Sequence, residues 1–266
     1  MMNIAVLIKQ VPRTDKIKID RETGTLIRKG VESILNPYCE YALDMAVALK
    51  KRLKDVKITA FTMGPDSAEL VLRRALSLGA DEAVLISDRA FSGSDCWATA
   101  YTLSKGIRHQ LKDPDLIICG KQAIDGDTAQ VPGEISEILG MPLLPYVFEI
   151  TDINESVAVR CEMGDSILEL SSELPAVITV GNGSNIRRIP SVQDAAAAYF
   201  ARIVHLDNSI IKCDLAQTGL KGSPTRVVKI EPVTASGKCE FYDEENLDKG
   251  LNKLLDLISI VKGDKV

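Results

Sequence analysis

The chain has 266 residues, of which 45% are hydrophobic, 26% charged and 5% aromatic. That composition suits a globular protein with a sizeable core, organised as one domain plus an appendage or as two small domains. Thirty-seven acidic against 32 basic side chains leave a net charge of −5, which argues against nucleic-acid binding, because tracking phosphates needs a basic excess or stripe.

No apolar run approaches the ~20 residues that span a bilayer. The run Ile4–Ile8 is too short for a signal-peptide core and leads straight into charged sequence, so a cytoplasmic location is expected. Residues 3–8 read as a buried parallel strand. Residues 16–28 alternate about a polar turn at Thr23-Gly24 and predict a β-hairpin. Asn36-Pro37 then opens a helix, Asn36 as N-cap and Pro37 at the first helical position, with Ala42, Met45, Ala46 and Leu49 on its apolar face. A strand at 56–62 ends at Met63-Gly64-Pro65. The next helix, about 66–78, places Leu70, Leu72, Ala75 and Leu76 inward and stops at Gly79. A strand at 82–86, a helix from Asp95 to about Leu111, a strand over Asp115–Cys119 and a helix over Thr128–Leu139 follow. This β-α alternation predicts an α/β fold: a doubly wound, mostly parallel sheet covered on both faces.

From Tyr146 to Val180 the pattern changes to successive strands, an antiparallel extension of the sheet. Gly181 to Pro190 reads as an exposed loop and Ser191 to Ile203 as a helix. Residues 205–240 show no strong period. Glu244 to Val261 form an amphipathic helix with Leu247, Leu251, Leu254, Leu255 and Ile258 on one face. The expected division is an α/β domain over 1–204 and a C-terminal arm over 205–266 whose apolar helix packs on a partner chain.

The six cysteines (Cys39, Cys96, Cys119, Cys161, Cys213, Cys239) contain no CxxC pair, and they read as reduced, mostly buried small hydrophobes. Thiolate or imidazole clusters for iron–sulfur or zinc are absent. Only His109 and His205 could serve a triad, and no GxSxG supports one. Any reaction chemistry is therefore expected from a cofactor.

Ligands of a doubly wound sheet bind beyond the carboxyl ends of its strands. Four segments mark such ends: Lys9–Pro12, Asn36–Cys39, Met63–Pro65 and Gly120–Glu134. In the last, a strand leads through Gly120 and Gly126 to Asp127-Thr128 opening a helix, where free N–H groups would receive a pyrophosphate. The same residues also suit a plain β-α loop capped by Asp127 or Thr128, or a Mg²⁺ site on Asp125 and Asp127. No GxxxxGK[ST] or GxGxxG is present, and Gly93-Ser94-Asp95 lacks the glycine pair of an ATP-pyrophosphatase loop.

In these segments the sequence resembles the β subunit of electron transfer flavoproteins. The match runs in order through VLIKQVP (Val6–Pro12), LNPYCEYALDMA (Leu35–Ala46), TMGP (Thr62–Pro65), LRRALSLGADEAVLISD (Leu72–Asp88), GKQAIDGDTAQV (Gly120–Val131), LPAVITV (Leu174–Val180) and GLKGSPTRV (Gly219–Val227). The resemblance implies an adenine-nucleotide-binding type of α/β fold, a larger α subunit as partner, and a nucleotide site in this chain. By position, that site would be lined by Leu7, Lys9, Asn36, Pro37, Tyr38, Cys39, Met63 and Gly64. The loop Gly120, Lys121, Gln122, Ala123, Ile124, Asp125, Gly126, Asp127, Thr128, Ala129, Gln130, Val131 would complete it. The DGDTAQV stretch is similar to the electron-bifurcating branch and implies FAD, with AMP as the alternative found in simple carriers. In the bifurcating case NADH would supply a hydride, one electron going to ferredoxin or flavodoxin and the other, through the α-subunit FAD, to a dehydrogenase. An ATP-binding stress-type module remains the rival class. By the same resemblance Val180 to Arg202 corresponds to the loop that meets an FAD-dependent dehydrogenase, with Arg187, Arg188, Ile189 and Val192 as recognition residues. Val192 stands where a leucine is usual and AAAAYFAR replaces a lysine run, which implies a more permanent, apolar contact or drift around a slightly different acyl-CoA dehydrogenase.

Overall fold

The computed structural model describes residues 1–13, 18–19, 26–27, 32–181, 188–228 and 240–262. Two compact units occur, Met1–Lys229 and Ile230–Val266. The first opens with β1 (Met2–Leu7), β2 (Gln10–Pro12), β3 (Lys18–Ile19), β4 (Leu26–Ile27) and β5 (Ser33–Leu35). Then come α1 (Pro37–Arg52), β6 (Val56–Met63), α2 (Glu69–Leu78), β7 (Glu82–Ile86) and α3 (Cys96–Leu111). They are followed by β8 (Leu116–Gly120), α4 (Val131–Leu139), β9 (Leu143–Ile153), β10 (Ser156–Met163), β11 (Ser166–Glu173) and β12 (Ala176–Val180). The unit closes with α5 (Val192–Phe200), β13 (Val204–Leu206), α6 (Asn208–Ile211) and α7 (Gly219–Gly222).

Nine strands form one sheet in the order β11-β10-β9-β12-β8-β1-β6-β7-β13. Every pair from β9 to β13 across this order is parallel, while β9-β10 and β10-β11 are antiparallel. The doubly wound sheet with an antiparallel extension is therefore borne out. The chain starts at β1 and builds β6 and β7 on one side, then returns to place β8 on the other. Strand order thus reverses beside β1, opening a crevice at the carboxyl ends of β1 and β8.

In β1, β6, β7, β8 and β12 continuous apolar residues make the sheet a central layer, because neither face of these strands meets water. Along β1, Ile4 and Val6 face the core shared with Leu43, Ala46, Leu72 and Ala75 of α1 and α2. Ala5 and Leu7 face the opposite core with Leu103 and Ile107 of α3 and Ile135 of α4. The period-two alternation lets one strand serve both layers.

Several local expectations are corrected. Leu70 is 58% exposed, and Val71 is buried in its place. A 3-10 turn over Asp66–Ala68 delays the helix to Glu69 and shifts its inward phase. α4 begins at Val131, not Thr128, because Asp127 and Ala129 adopt φ of 54° and 55°, which no α-helix accommodates. Of the predicted hairpin at 16–28, β3 pairs antiparallel with β4, and the turn at Thr23-Gly24 lies outside the described residues. The expected boundary at 204/205 falls inside β13, which pairs with β7, and the compact unit continues to Lys229.

In the second unit the described residues 240–262 comprise a turn and α8 (Leu247–Lys262). Tyr242 donates to Glu240, 2.6 Å away, and Leu247, Leu251, Leu254, Leu255 and Ile258 are exposed.

Gly120 ends β8 against the start of α1. A Cβ there would stand 2.6 Å from the carbonyl carbon of Tyr38 and 2.8 Å from its oxygen, both backbone atoms that cannot swing away. Gly120→Ala is expected to lower stability by about 1–3 kcal/mol, the usual range for overpacking, read as a drop in the urea midpoint with an unchanged slope.

Candidate functional site

A cleft of about 800 Å³ opens over the carboxyl ends of β1, β6, β7 and β8. Of the residues expected to line it, Leu7, Lys9, Asn36, Cys39, Met63, Gly64, Gly120, Gln122, Ala123, Gly126, Asp127, Thr128, Ala129, Gln130 and Val131 do so. Pro37, Tyr38, Lys121, Ile124 and Asp125 do not. Pro37 starts α1, and the Lys121 ammonium lies over the Tyr38 ring, 5.0 Å from its centre. Asp125 turns to the Lys9 ammonium, 2.8 Å away. Asp127 accepts from the Gln122 amide, so the two carboxylates of the supposed Mg²⁺ pair are directed to different partners.

The loop after β8 is held by Asn36, which is fully buried. Asn36 directly precedes α1 as expected, yet its side chain does not cap the helix. Its Nδ2 donates to the Gln122 carbonyl at 2.8 Å and to Cys39 Sγ at 3.2 Å, and its Oδ1 accepts from the Ile124 N–H at 3.2 Å. Its own N–H donates to the Lys9 carbonyl at 2.9 Å. One side chain thus ties the β1 end, the α1 start and the β8 loop together. Burial raises the Cys39 and Cys119 thiols well above their ordinary range, so both are neutral walls of the cleft.

Beyond Asn36's reach the loop changes character. Asp127 and Ala129 are left-handed, and Gln130 returns to the right-handed helical region as the first boundary residue of α4. Left-handed followed by right-handed backbone brings successive N–H groups into one concavity, an anion nest. No side chain caps α4, so the positive end of its dipole faces the cleft. Gly126 has neither a positive φ nor a neighbour within 4 Å of a Cβ placed on it. Neither backbone conformation nor packing demands a glycine there.

The neighbouring helix is treated in the opposite way. Asp95 caps α3 through the Ala98 N–H at 3.1 Å and also accepts from Thr225 N and Oγ1 at 2.8 and 2.7 Å. Asp95 N donates to Ser223 Oγ at 2.8 Å, and Leu220 N donates to the Ser92 carbonyl at 3.0 Å. The GLKGSPT segment is therefore laced to the loop between β7 and α3. Burial would raise the Asp95 carboxyl, but the hydrogen bonds from Thr225 and Ala98 outweigh it and hold it below the usual range. Glu134, in the first turn of α4, is raised by burial and by the Asp95 charge. The carboxylates of the cleft, Asp66, Asp88, Asp95 and Asp127, outnumber its cations Lys9 and Arg89. An anionic ligand would find the main-chain amides of the nest and the Arg89 guanidinium to receive it.

Ile86–Arg89 and Ser92–Cys96 also line the cleft and were missed by the sequence reading. The same strand-end rule that selected Met63 would have selected Ile86-Ser87-Asp88. Among the expected recognition residues, Ile189 and Val192 are 90% and 87% exposed. Arg188 instead turns inward to Asp44, 3.1 Å away, and Arg187 lies outside the described residues. His109 is exposed on α3, and His205 Nε2 lies 3.0 Å from Glu69. Among the described residues no group of three or more His, Cys, Asp or Glu is placed to hold a metal, and no helix is long and apolar enough to cross a membrane.

A doubly wound sheet with a cleft, an uncapped helix and an amide nest at its switch point defines a protein of the open-sheet α/β class. The electron transfer flavoprotein domain model matches residues 23–207. The chain is 41% identical over 265 residues to the electron transfer flavoprotein subunit beta of Megasphaera elsdenii, covering 96% of this chain and 98% of that protein. It is 42% identical to the caffeyl-CoA reductase-Etf complex subunit CarD of Acetobacterium woodii (90% and 91% covered) and 41% identical to protein FixA of Azotobacter vinelandii (93% and 90%). The chain belongs to the electron transfer flavoprotein family, with the β subunits, and its role lies in electron transfer.

Because the Asp95 carboxyl is depressed on folding, its contribution is present above the unfolded value near pH 4 and is lost as pH falls through the lower folded value. Asp95→Ala should therefore cost about 1 kcal/mol at pH 7, the usual worth of an N-cap. Urea unfolding should show that difference shrinking towards pH 2–3.

Proposed function

We propose that this chain is the β subunit of an electron-bifurcating flavoprotein and holds FAD in the cleft beneath α4. Gly126 carries the reading. A glycine that neither conformation nor packing requires, on the wall of the cleft, is accounted for by a ligand whose diphosphate approaches the backbone closely. The cleft volume of about 800 Å³ lies in the upper part of the usual range for ligand sites and supports a dinucleotide over AMP.

When bound, the flavin supplies hydride and single-electron chemistry. The chain's own part is to bind, orient and shield. Main-chain N–H groups at Ala129–Val131 would hold the diphosphate, Asn36 fixes the loop that carries them, and Leu7, Met63, Ile86 and Phe91 give the cleft an apolar floor. NADH is the hydride donor in this reading. Ferredoxin or flavodoxin would be one electron acceptor, and an FAD-dependent dehydrogenase, of acyl-CoA or another type, reached through a larger α subunit, would be the other. The exposed leucines of α8 suit packing on that α subunit, and the CarD relative's name, a subunit of a reductase-Etf complex, supports a dehydrogenase held in a lasting assembly.

Acid extraction of the purified heterodimer should release two FAD per αβ pair. One FAD with one AMP would instead make the protein a simple carrier. Gly126→Val should weaken flavin retention by this chain at least about tenfold, since a branched side chain occupies the ligand's space. Stability should stay within about 0.5 kcal/mol, as for other open surface positions. Retention of the full flavin complement by Gly126→Val would refute the assignment of the diphosphate to this loop.

A further inference from the structure

We infer that Asp95 and Glu134 form a divided carboxyl pair beside the cleft, Asp95 a fixed anion and Glu134 the seat of a proton that must be bound for the α4 nest to hold a diphosphate.

The hydrogen bonds divide the pair. Asp95 is met by donors alone: the Ala98 N–H at 3.1 Å, the Thr225 N–H at 2.8 Å and the Thr225 hydroxyl at 2.7 Å. An ionised carboxylate suits that set because it only accepts, and a protonated acid would give up one of the places. Glu134 is in the reverse situation. Its Oε2 is shut away from solvent, and among the described residues no donor meets it. Charge on an oxygen left in that state is far more costly than a neutral acid.

The surroundings of Glu134 offer nothing to offset such a charge. On α3, Arg108 donates to the Ile138 carbonyl at the other end of α4, 3.5 Å away, and Lys105 lies over the Tyr101 ring. His109 on α3 and Glu137 on α4 itself are exposed. The sheet meets α4 through apolar residues, Leu143 of β9 and Val177 of β12. In the preceding loop, Asp127 is committed to the Gln122 amide. The first turn of a helix ordinarily favours a carboxylate, but here burial first and the Asp95 charge second push the Glu134 carboxyl up. Two carboxyls driven apart by their environments have separate tasks.

No side chain caps α4, and Glu134 lies in its first turn. An ionised Glu134 would offset the positive pole there and repel an anion in the nest, whereas a neutral one leaves the pole at full strength. Glu134 does not line the cleft, so it is a positioning residue that acts through the helix end. By linkage, an anion in the nest raises the Glu134 carboxyl further, and binding takes up a proton. Affinity is full below the Glu134 value and falls as pH rises through it. The diphosphate rests on the reading proposed above; the division of the pair does not.

The test uses the intact heterodimer and the FAD whose retention Gly126→Val weakens, a diphosphate diester of constant charge over the range used. Its Kd in wild type should rise at least about threefold between about pH 5 and about pH 9. Glu134→Gln should hold the low-pH affinity throughout. Binding calorimetry in buffers of different ionisation enthalpy should show proton uptake in wild type and none in Glu134→Gln. Asp95→Asn, which keeps the cap oxygen but not the charge, should move the midpoint to lower pH. A flat wild-type profile, or the same slope in Glu134→Gln, would overturn the inference and leave FAD in the cleft. If Glu134→Gln does not fold, an unmoved midpoint in Asp95→Asn would equally overturn it. A heterodimer with a single FAD that Gly126→Val does not affect would instead remove the reading beneath it.

Discussion

The buried amide of Asn36 is the constraint on which the cleft depends. It lies where the first strand ends, the first helix begins and the strand across the switch point gives way to its loop, and it bonds to all three neighbourhoods. A side chain with both a donor and an acceptor is needed, because the loop offers it a carbonyl at Gln122 and an N–H at Ile124. Leaving either group buried and unpaired costs about 1–3 kcal/mol. Gly120 allows the closeness this requires, since any side chain there would meet the Tyr38 backbone. The left-handed residues Asp127 and Ala129 follow this anchored stretch. Backbone strain of that kind persists only where the surroundings over-determine the conformation.

Much of the architecture could be read from residue pattern because the central strands are uniformly apolar and some helix ends carry plain signals. Asp95 marked the start of α3, and Gly79, at positive φ, closed α2. The errors arose where local chemistry offered two answers. Asp127-Thr128 has the composition of an N-cap, but left-handed backbone on both sides of Thr128 delays the helix to Val131. Asn36 has the composition of a cap too, and long-range partners 86 and 88 residues away take its side chain instead. Propensity describes what a side chain can do within its own turn, and it is silent on a partner brought by topology.

The same division applies to the site. Fifteen of the twenty positions expected around the cleft line it, since they sit at strand ends that a doubly wound sheet must gather on one edge. The wall from Ile86 to Cys96 escaped notice because what shapes it comes from Gly219–Thr225, more than a hundred residues later. Arg188 was misread for a related reason. An arginine in a polar loop reads as a surface contact until Asp44, buried on α1, is seen beneath it.

The two helix N-termini that face the cleft show how an acidic pocket can be prepared for an anion. At α3 the dipole is neutralised by Asp95, whose carboxylate is saturated by the cap and by Thr225. That end can offer a diphosphate only repulsion. At α4 the end is left uncapped, with Pro132 in the first turn removing one donor that would otherwise lack a partner. Asp88 is likewise committed, its oxygens accepting from Ala90 and Asn208 N–H groups. With Asp88 and Asp95 occupied largely by main-chain donors, Asp127 by the Gln122 amide and the Lys9 ammonium held by Asp125, backbone geometry does much to set where negative charge can settle. A ligand held in this way is located by the shape of the loop more than by net charge, so its position should withstand changes in ionic strength that would loosen a site built on exposed lysines.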